Sequence, residues 1–130
     1  MLKSIAQASA LVAILSAAAM TSAYAASPAK TADTSAGKTL VNPQGMTLYT
    51  FAKDSTGKSA CNGPCAGNWP PLKAEAGAQA DHDYSVVKRD DGSAQWAYKG
   101  KSLYTFVKDA KPGDATGQGM ANGAWQIAKP

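Results

Sequence analysis

The chain has 130 residues, enough for one modest domain with one hydrophobic core and too few for two independently folded domains. Its formal net charge is +4, but lysines and aspartates are interleaved along the chain and no basic stripe forms. This charge pattern argues against a nucleic-acid-binding protein and favours an evenly solvated surface.

The first 25 residues have the three parts of a cleavable secretory signal. Lys3 supplies the positive end, residues 5–20 are mostly apolar, and residues 23–25 (Ala-Tyr-Ala) have the small-x-small pattern that signal peptidase recognises. Polar residues interrupt the apolar stretch, which is already shorter than the roughly 20 residues that a membrane span needs. We therefore predict cleavage after Ala25. No cysteine lies near the cut, so the expected product is soluble, periplasmic or secreted, and without a lipid anchor.

Residues 26–36 contain no large apolar side chain, and such a segment contributes little to a core. They are predicted to form a flexible leader between the cleavage site and the domain. The folded domain is accordingly expected over residues 37–130.

The domain contains an internal duplication. Residues 37–54 align without a gap on residues 92–109, and the Leu-Tyr-Thr-Phe-x-Lys-Asp sequence coincides in both. Trp69 and Trp125 extend the correspondence. Such self-similarity indicates a duplicated structural unit. The predicted copies cover, approximately, residues 37–73 and 92–128.

Each copy is predicted to begin with a β-hairpin, because an aromatic and β-branched segment follows a glycine-containing turn signal. Pairing is expected between residues 38–41 and 46–52, and between 94–98 and 102–108. Further strands are expected at residues 84–89, near Trp69 and at residues 125–127. No window has the 3.6-residue apolar period of a helix. The predicted fold class is all-β: a small single domain built from two tandem related hairpin-bearing repeats.

Both copies carry a Tyr-x-(Phe/Trp/Tyr)-x-x-Asp motif. Its residues are Tyr49, Phe51 and Asp54 in the first copy and Tyr104, Phe106 and Asp109 in the second. On this motif, and on the segment Cys61–Leu72, the chain resembles a family of secreted bacterial proteins, many of them predicted lipoproteins, built from a duplicated secreted repeat of unknown function. The resemblance implies an extracytoplasmic location and a repeat architecture, and it implies no particular activity.

The motif has two interpretations. In a strand, Tyr and Phe two residues apart point to one face, and Leu48 and Leu103 point to the other. In the structural interpretation the aromatic rings are core, and Asp54 and Asp109 accept backbone N–H bonds in the following loops. In the functional interpretation two Tyr–Asp pairs surround a shared cleft. The structural interpretation is favoured, since aspartates that cap turns are common.

Cys61 and Cys65 are the only cysteines. In an oxidising compartment, two cysteines this close favour a disulfide that closes the Gly-Pro turn between them. The alternative is a soft-metal site, in particular for copper, because thiolate and thioether sulfurs select Cu(I). The residues that could complete such a site are Met46, His82 and Met120.

No catalytic grouping is apparent, because the only histidine, His82, lies in a polar loop. We therefore expect a non-enzymatic exported protein that binds a ligand or an envelope component, without a cofactor, a nucleic-acid partner or an integral membrane segment after cleavage. One alternative is a metal- or redox-handling protein that uses Cys61 and Cys65. The other is a hydrolase with an acid from Asp54 or Asp109.

Overall fold

The computed structural model describes residues 27–130, and the predicted signal peptide lies outside the described residues. The described chain consists of short antiparallel strands with two short helices, so the all-β prediction is confirmed. The elements, in chain order, are β1 Lys30–Thr34, β2 Gly37–Val41, β3 Tyr49–Phe51, α1 Pro64–Asn68, β4 Tyr84–Lys88, β5 Ala94–Tyr98, β6 Lys101–Ser102, α2 Met120–Gly123 and β7 Trp125–Ile127.

Strand β1 lies inside the segment predicted as a flexible leader, residues 26–36, and that prediction is wrong. β1 pairs antiparallel with β2 along its whole length. Its side chains are short and polar, but a ladder is built from backbone N–H and C=O groups, which every residue here carries. Ala29, just before the strand, is buried in the core. The folded domain therefore begins before residue 37.

The two repeats meet at a reciprocal contact between equivalent residues. The Tyr49 N–H donates to the Tyr104 carbonyl at 2.8 Å, and the Tyr104 N–H donates to the Tyr49 carbonyl at 3.0 Å. The same relation holds further out, where Leu72 N–H bonds the Leu103 carbonyl and Ala128 N–H bonds the Leu48 carbonyl. Self-complementary contacts of this kind are what a two-fold axis generates. The fold is thus an internal pseudo-dimer.

The opening hairpin of the second copy is β4–β5, the counterpart of β1–β2. The copy therefore begins near residue 85 and not at residue 92, where the gapless alignment placed it. β1 and β4 share no residue at equivalent positions, so the comparison of the two copies stopped short of them, but their pairings with the following strand agree.

The gapless alignment is also one residue out of register before the turn glycines. Leu40 N–H donates to the Ala128 carbonyl, and the equivalent bond to the Leu72 carbonyl comes from Trp96, not from Gln95. The reason is turn length. Residues 42–46 lie between the bridged residues Val41 and Thr47, whereas only residues 98–101 lie between the equivalent pair Ala97 and Ser102.

The strand expected near Trp69 is absent, and α1 takes its place. Pro64 occupies the first turn of α1, a position where proline costs nothing because the first N–H groups of a helix have no partner within it. Trp69 follows directly as the C-terminal cap. Beyond it the chain extends again, and Pro71 forms an isolated bridge with Tyr104.

Two core layers lie on opposite faces of the central strands. One is aliphatic and is formed by Ala29, Leu40, Leu48, Leu103 and Ala128, with Leu72, Tyr84, Trp96 and Tyr98 packed at its edge. The other is aromatic and contains Tyr49, Trp69, Tyr104, Phe106 and Trp125, with Phe51 against it. The division follows the two-residue period of a strand, as the sequence predicted for Leu48 and Tyr49.

Four rings of the aromatic layer form one continuous stack across the pseudo-two-fold axis. Trp69 and Trp125 lie face to face at its centre, with ring centroids 3.8 Å apart. Phe51 stacks on Trp125 at 4.2 Å, and Phe106 stacks on Trp69 at 4.1 Å. Each repeat therefore contributes one tryptophan and one phenylalanine, in alternating order. In the part of the chain that the structure describes, no helix has the length and apolarity to cross a membrane.

Candidate functional site

The tyrosine of the first motif bonds the aspartate of the second. The Tyr49 hydroxyl donates to Asp109 Oδ2 at 2.6 Å, and the Gly117 N–H donates to the same hydroxyl at 3.2 Å. The other carboxylate oxygen of Asp109 accepts from the backbone N–H and the hydroxyl of Thr116, at 2.9 and 2.6 Å. Tyr49 and Asp109 are both buried. Every polar atom of this pair is satisfied inside the protein.

The second tyrosine bonds the aspartate of the first motif. The Tyr104 hydroxyl donates to Asp54 Oδ2 at 2.7 Å, and Asp54 Oδ1 accepts the Ala60 N–H at 2.7 Å. Because the only proton of the Tyr104 hydroxyl is used on Asp54, Ser59 must donate its own proton to Tyr104, at 2.6 Å. The two motifs are therefore crossed: each tyrosine reaches into the opposite repeat.

Arg89 completes the Tyr104 network. Its guanidinium donates to Ser59 Oγ at 3.0 Å, to Gln95 Oε1 at 2.7 Å and to the Cys61 carbonyl at 2.6 Å. Arg89 is buried, with 5% of its surface exposed. The interleaved charges predicted an evenly solvated surface, and for Arg89 that prediction is wrong. Val87 lies in β4 and Arg89 follows directly after the strand, and both are buried. Side chains two residues apart point to the same face of a strand, so this alternation could have indicated that Arg89 is buried.

The two aspartates also accept backbone N–H groups in the loops that follow their own strands, at Ala60 and Thr116. This geometry is the one that the structural interpretation of the motif describes. The alternative arrangement, two Tyr–Asp pairs exposed around a shared cleft, is not what the structure contains. Both tyrosines are fully buried, so neither hydroxyl faces a ligand.

Burial raises the pKa of both tyrosines, and the pKa of Tyr104 reaches about 12. Burial also raises the pKa of Asp54 above that of a solvated carboxyl. The hydrogen bond and the charge of the partner aspartate further raise each tyrosine pKa. The fold therefore stabilises the neutral hydroxyl of both tyrosines over the ionised form.

We expect the protein to lose stability between about pH 10 and pH 12. An unfolded tyrosine ionises near pH 10, whereas Tyr49 and Tyr104 keep their protons in the fold, so this contribution is complete below pH 10 and is lost as the pH rises. Each pH unit in that window costs about 1.4 kcal/mol per tyrosine. The measurement is urea unfolding at pH 8, 10 and 11. The Tyr49→Phe/Tyr104→Phe variant should have a flatter pH dependence, and an unchanged slope would contradict the assignment.

Cys61 and Cys65 form a disulfide, as predicted from their spacing. Cys61 is fully buried against the aromatic layer, and Cys65 is partly buried in α1. The closed loop is short, so it removes little entropy from the unfolded chain. We expect Cys61→Ser/Cys65→Ser to lower the free energy of unfolding by about 2 kcal/mol, as measured by urea unfolding. The parent protein in excess reductant is the control, and a loss above about 4 kcal/mol would show that the bridge does more than close this loop.

The copper alternative requires Cys61 and Cys65 as thiolate ligands. The two sulfurs are bonded to each other, so neither is a thiolate. Among residues 27–130, no group of three His, Cys, Asp or Glu side chains could hold a metal ion. His82 is exposed, and its Nε2 lies 3.4 Å from Asp81 Oδ1. Met120 is also exposed.

Two surface grooves lie at equivalent places in the two repeats. The first groove is lined, among others, by Pro43, Gln44, Pro70, Lys73 and Thr105. The second groove is lined, among others, by Thr50, Tyr98, Lys99, Gln126 and Lys129. These positions correspond through the pseudo-two-fold relation, with Thr50 matching Thr105 and Lys73 matching Lys129. The sequence analysis did not identify either groove, because each combines a strand end, a hairpin turn and a segment from the other repeat.

A family model described as a secreted repeat of unknown function matches the chain twice, at residues 30–73 and 85–129. These bounds include β1 and β4, in agreement with the hairpins of the structure. No curated protein and no solved structure is significantly similar to the chain. The two matched segments form most of the described chain, and the crossed motifs, the shared aromatic stack and the paired grooves follow the same duplication. The protein belongs to the family of secreted repeats of unknown function.

Proposed function

We propose that the protein is an exported, non-enzymatic binding module that acts in the periplasm or outside the cell and associates with a component of the cell envelope. One observation carries the proposal: the polar groups of the family motif are consumed in internal hydrogen bonds, while two grooves remain open at the surface. Acids whose oxygens are satisfied by internal hydrogen bonds stabilise the fold, whereas a groove lined by mixed polar and apolar groups is the usual form of a binding site.

The absence of exposed acid–base pairs in the motif supports the non-enzymatic part of the proposal. A general acid or base must come within hydrogen-bond reach of its substrate. Asp54 and Asp109 each direct one oxygen to a buried tyrosine and the other to a backbone N–H. The secretory signal at residues 1–25 and the description of the family as secreted support action outside the cytoplasm.

The association is tested by co-sedimentation of the exported protein with purified cell-envelope fragments from the bacterium that produces it. We expect the protein to sediment with the fragments and to remain in solution when it is centrifuged alone. A protein that stays in the supernatant at every fragment concentration would contradict the proposal.

The non-enzymatic part is tested with model ester, phosphoester, glycoside and peptide substrates. We expect no turnover above the uncatalysed rate. Turnover that disappears in Asp54→Asn, while the variant keeps the circular dichroism spectrum of the parent, would instead assign a hydrolase.

A further inference from the structure

The two grooves began as copies of one feature but differ in charge. Lys99 and Lys101 flank the turn glycine Gly100 in the second groove, where Gln44 and Met46 flank Gly45 in the first repeat. The second groove therefore has three lysines, including Lys129. The first has one lysine, Lys73, and two exposed carboxylates, Glu75 and Asp81.

The only carboxylate of the second groove belongs to Asp54, which is held by Tyr104 and by the Ala60 N–H. Within residues 27–130 no lysine nitrogen lies within 4.0 Å of a carboxylate oxygen, so no groove lysine has a carboxylate partner in the described chain. Three ammonium groups around one groove repel each other unless an anion neutralises them. The second groove thus has the charge of an anion-binding site.

The remaining lining is suited to a sugar. The hydroxyl groups of Thr50 and Thr56 line the groove and are suited to bond sugar hydroxyls. The ammonium of Lys99 lies over the partly exposed Tyr98 ring, 5.2 Å from its centroid, so this ring holds the lysine at the groove. The groove has a volume of about 580 Å³, within the roughly 300–1,000 Å³ of small-molecule sites. The exposed large apolar side chains of the described chain, Val107 and Met120, lie outside it, which disfavours a lipid surface as its ligand.

The turn that carries the lysines is rigidly placed. Lys99 has φ +50°, a left-handed conformation that is costly for a lysine. A Cβ on Gly100 would come within 3.0 Å of the Thr56 side chain, so the turn packs closely on the loop of the opposite repeat. Positive φ at both Lys99 and Gly100 is what the two-residue turn between the paired residues Tyr98 and Lys101 requires, so the turn has a defined conformation.

We infer that the second groove binds an anionic sugar unit of an envelope polymer, with Lys99, Lys101 and Lys129 holding its phosphate or carboxylate and the hydroxyls of Thr50 and Thr56 bonding its hydroxyl groups. This inference rests on the proposed function and names the ligand class of one of its two grooves. The first groove, with a single lysine and two carboxylates, does not bind that ligand.

The test is an NMR titration of the isotope-labelled exported protein with glucose 6-phosphate at low salt, compared with glucose and with inorganic phosphate. We expect glucose 6-phosphate to shift the backbone amides of residues 98–101 and 126–129, and to leave residues 43–46 unchanged. Glucose should bind at least tenfold more weakly. If glucose binds as tightly as glucose 6-phosphate, the role of the lysines is wrong. If inorganic phosphate binds as tightly as glucose 6-phosphate, the recognition of the sugar is wrong.

A pair of variants that remove the same number of lysines separates the effect of the groove lysines from the effect of net charge. Lys99→Gln/Lys101→Gln/Lys129→Gln is expected to weaken glucose 6-phosphate binding about tenfold or more. Lys38→Gln/Lys88→Gln/Lys111→Gln removes the same charge from exposed positions outside both grooves and should stay within about twofold of the parent. Equal losses in both variants would overturn the inference. If the groove variant still co-sediments with envelope fragments as the parent does, the inference fails while the proposed function stands.

Discussion

Replacing Trp69 by alanine is expected to lower the free energy of unfolding by about 3–5 kcal/mol. The ring lies at the centre of the four-ring stack, between Trp125 and Phe106, and Tyr49 meets it edge-on at 5.2 Å. Its loss leaves a large cavity where the two repeats join, so both halves should be destabilised together. Urea unfolding followed by circular dichroism measures the change.

Two further variants make this result interpretable. Trp69→Phe retains a stacking ring and is expected to lose less than half as much stability as Trp69→Ala. Val107→Ala, at a position that is 51% exposed, should change stability by less than about 0.5 kcal/mol. If Trp69→Ala unfolds in two separate transitions, the repeats are independent units and the shared core is not what couples them.

The crossed Tyr–Asp pairs are expected to appear in double-mutant cycles. Tyr49→Phe and Asp109→Asn should each cost about 1–3 kcal/mol, because each leaves a buried polar partner unsatisfied. Together they should cost less than the sum, with a coupling of about 1 kcal/mol or more, as residues in one network do. The cycle of Tyr104→Phe with Asp54→Asn should behave in the same way.

The control cycles use the pairs that share a motif but make no hydrogen bond with each other, Tyr49 with Asp54 and Tyr104 with Asp109. We expect their effects to be nearly additive. Strong coupling within one motif, and none across the repeats, would contradict the crossed arrangement. Asp91→Ala removes an exposed turn cap that bonds only Ser93, and it should cost less than about 1 kcal/mol because its partners can turn to water.

The sequence predicted what depends on neighbours along the chain. Alternation placed Leu48 and Tyr49 on opposite faces, and the four-residue separation of the cysteines placed the disulfide. The turn signals placed only the short pairings beside the turns, between Val41 and Thr47 and between β5 and β6, since β3 pairs with β7. Each of these rests on local geometry: the period of a strand, the conformation of a turn and the reach of two thiols. The hydrogen bonds from the Ala60 and Thr116 N–H groups to Asp54 and Asp109 are local in the same sense, because each joins residues of one loop.

The sequence did not predict what depends on the second repeat. The motif reads Tyr-x-Phe-x-x-Asp within each copy, yet each tyrosine bonds the aspartate of the other copy, because the reciprocal Tyr49–Tyr104 contact brings each strand to the opposite loop. β1 was missed for a different reason: a ladder needs only backbone groups, and its side chains carry no apolar signal. Arg89 was missed because a buried cation beside two aspartates looks like surface charge in a sequence.

The reciprocal contact at Tyr49 and Tyr104 has a consequence for how the protein could acquire new specificity. In a dimer of identical chains, every substitution appears twice, so a lysine added to one groove is added to both. A single chain that contains both halves escapes this constraint. One half here has Thr34 and Thr39 where the other has Arg89 and Gln95, and one hairpin turn has glutamine and methionine where the other has lysines. Covalent fusion has made the symmetry of the scaffold compatible with asymmetry at its surface.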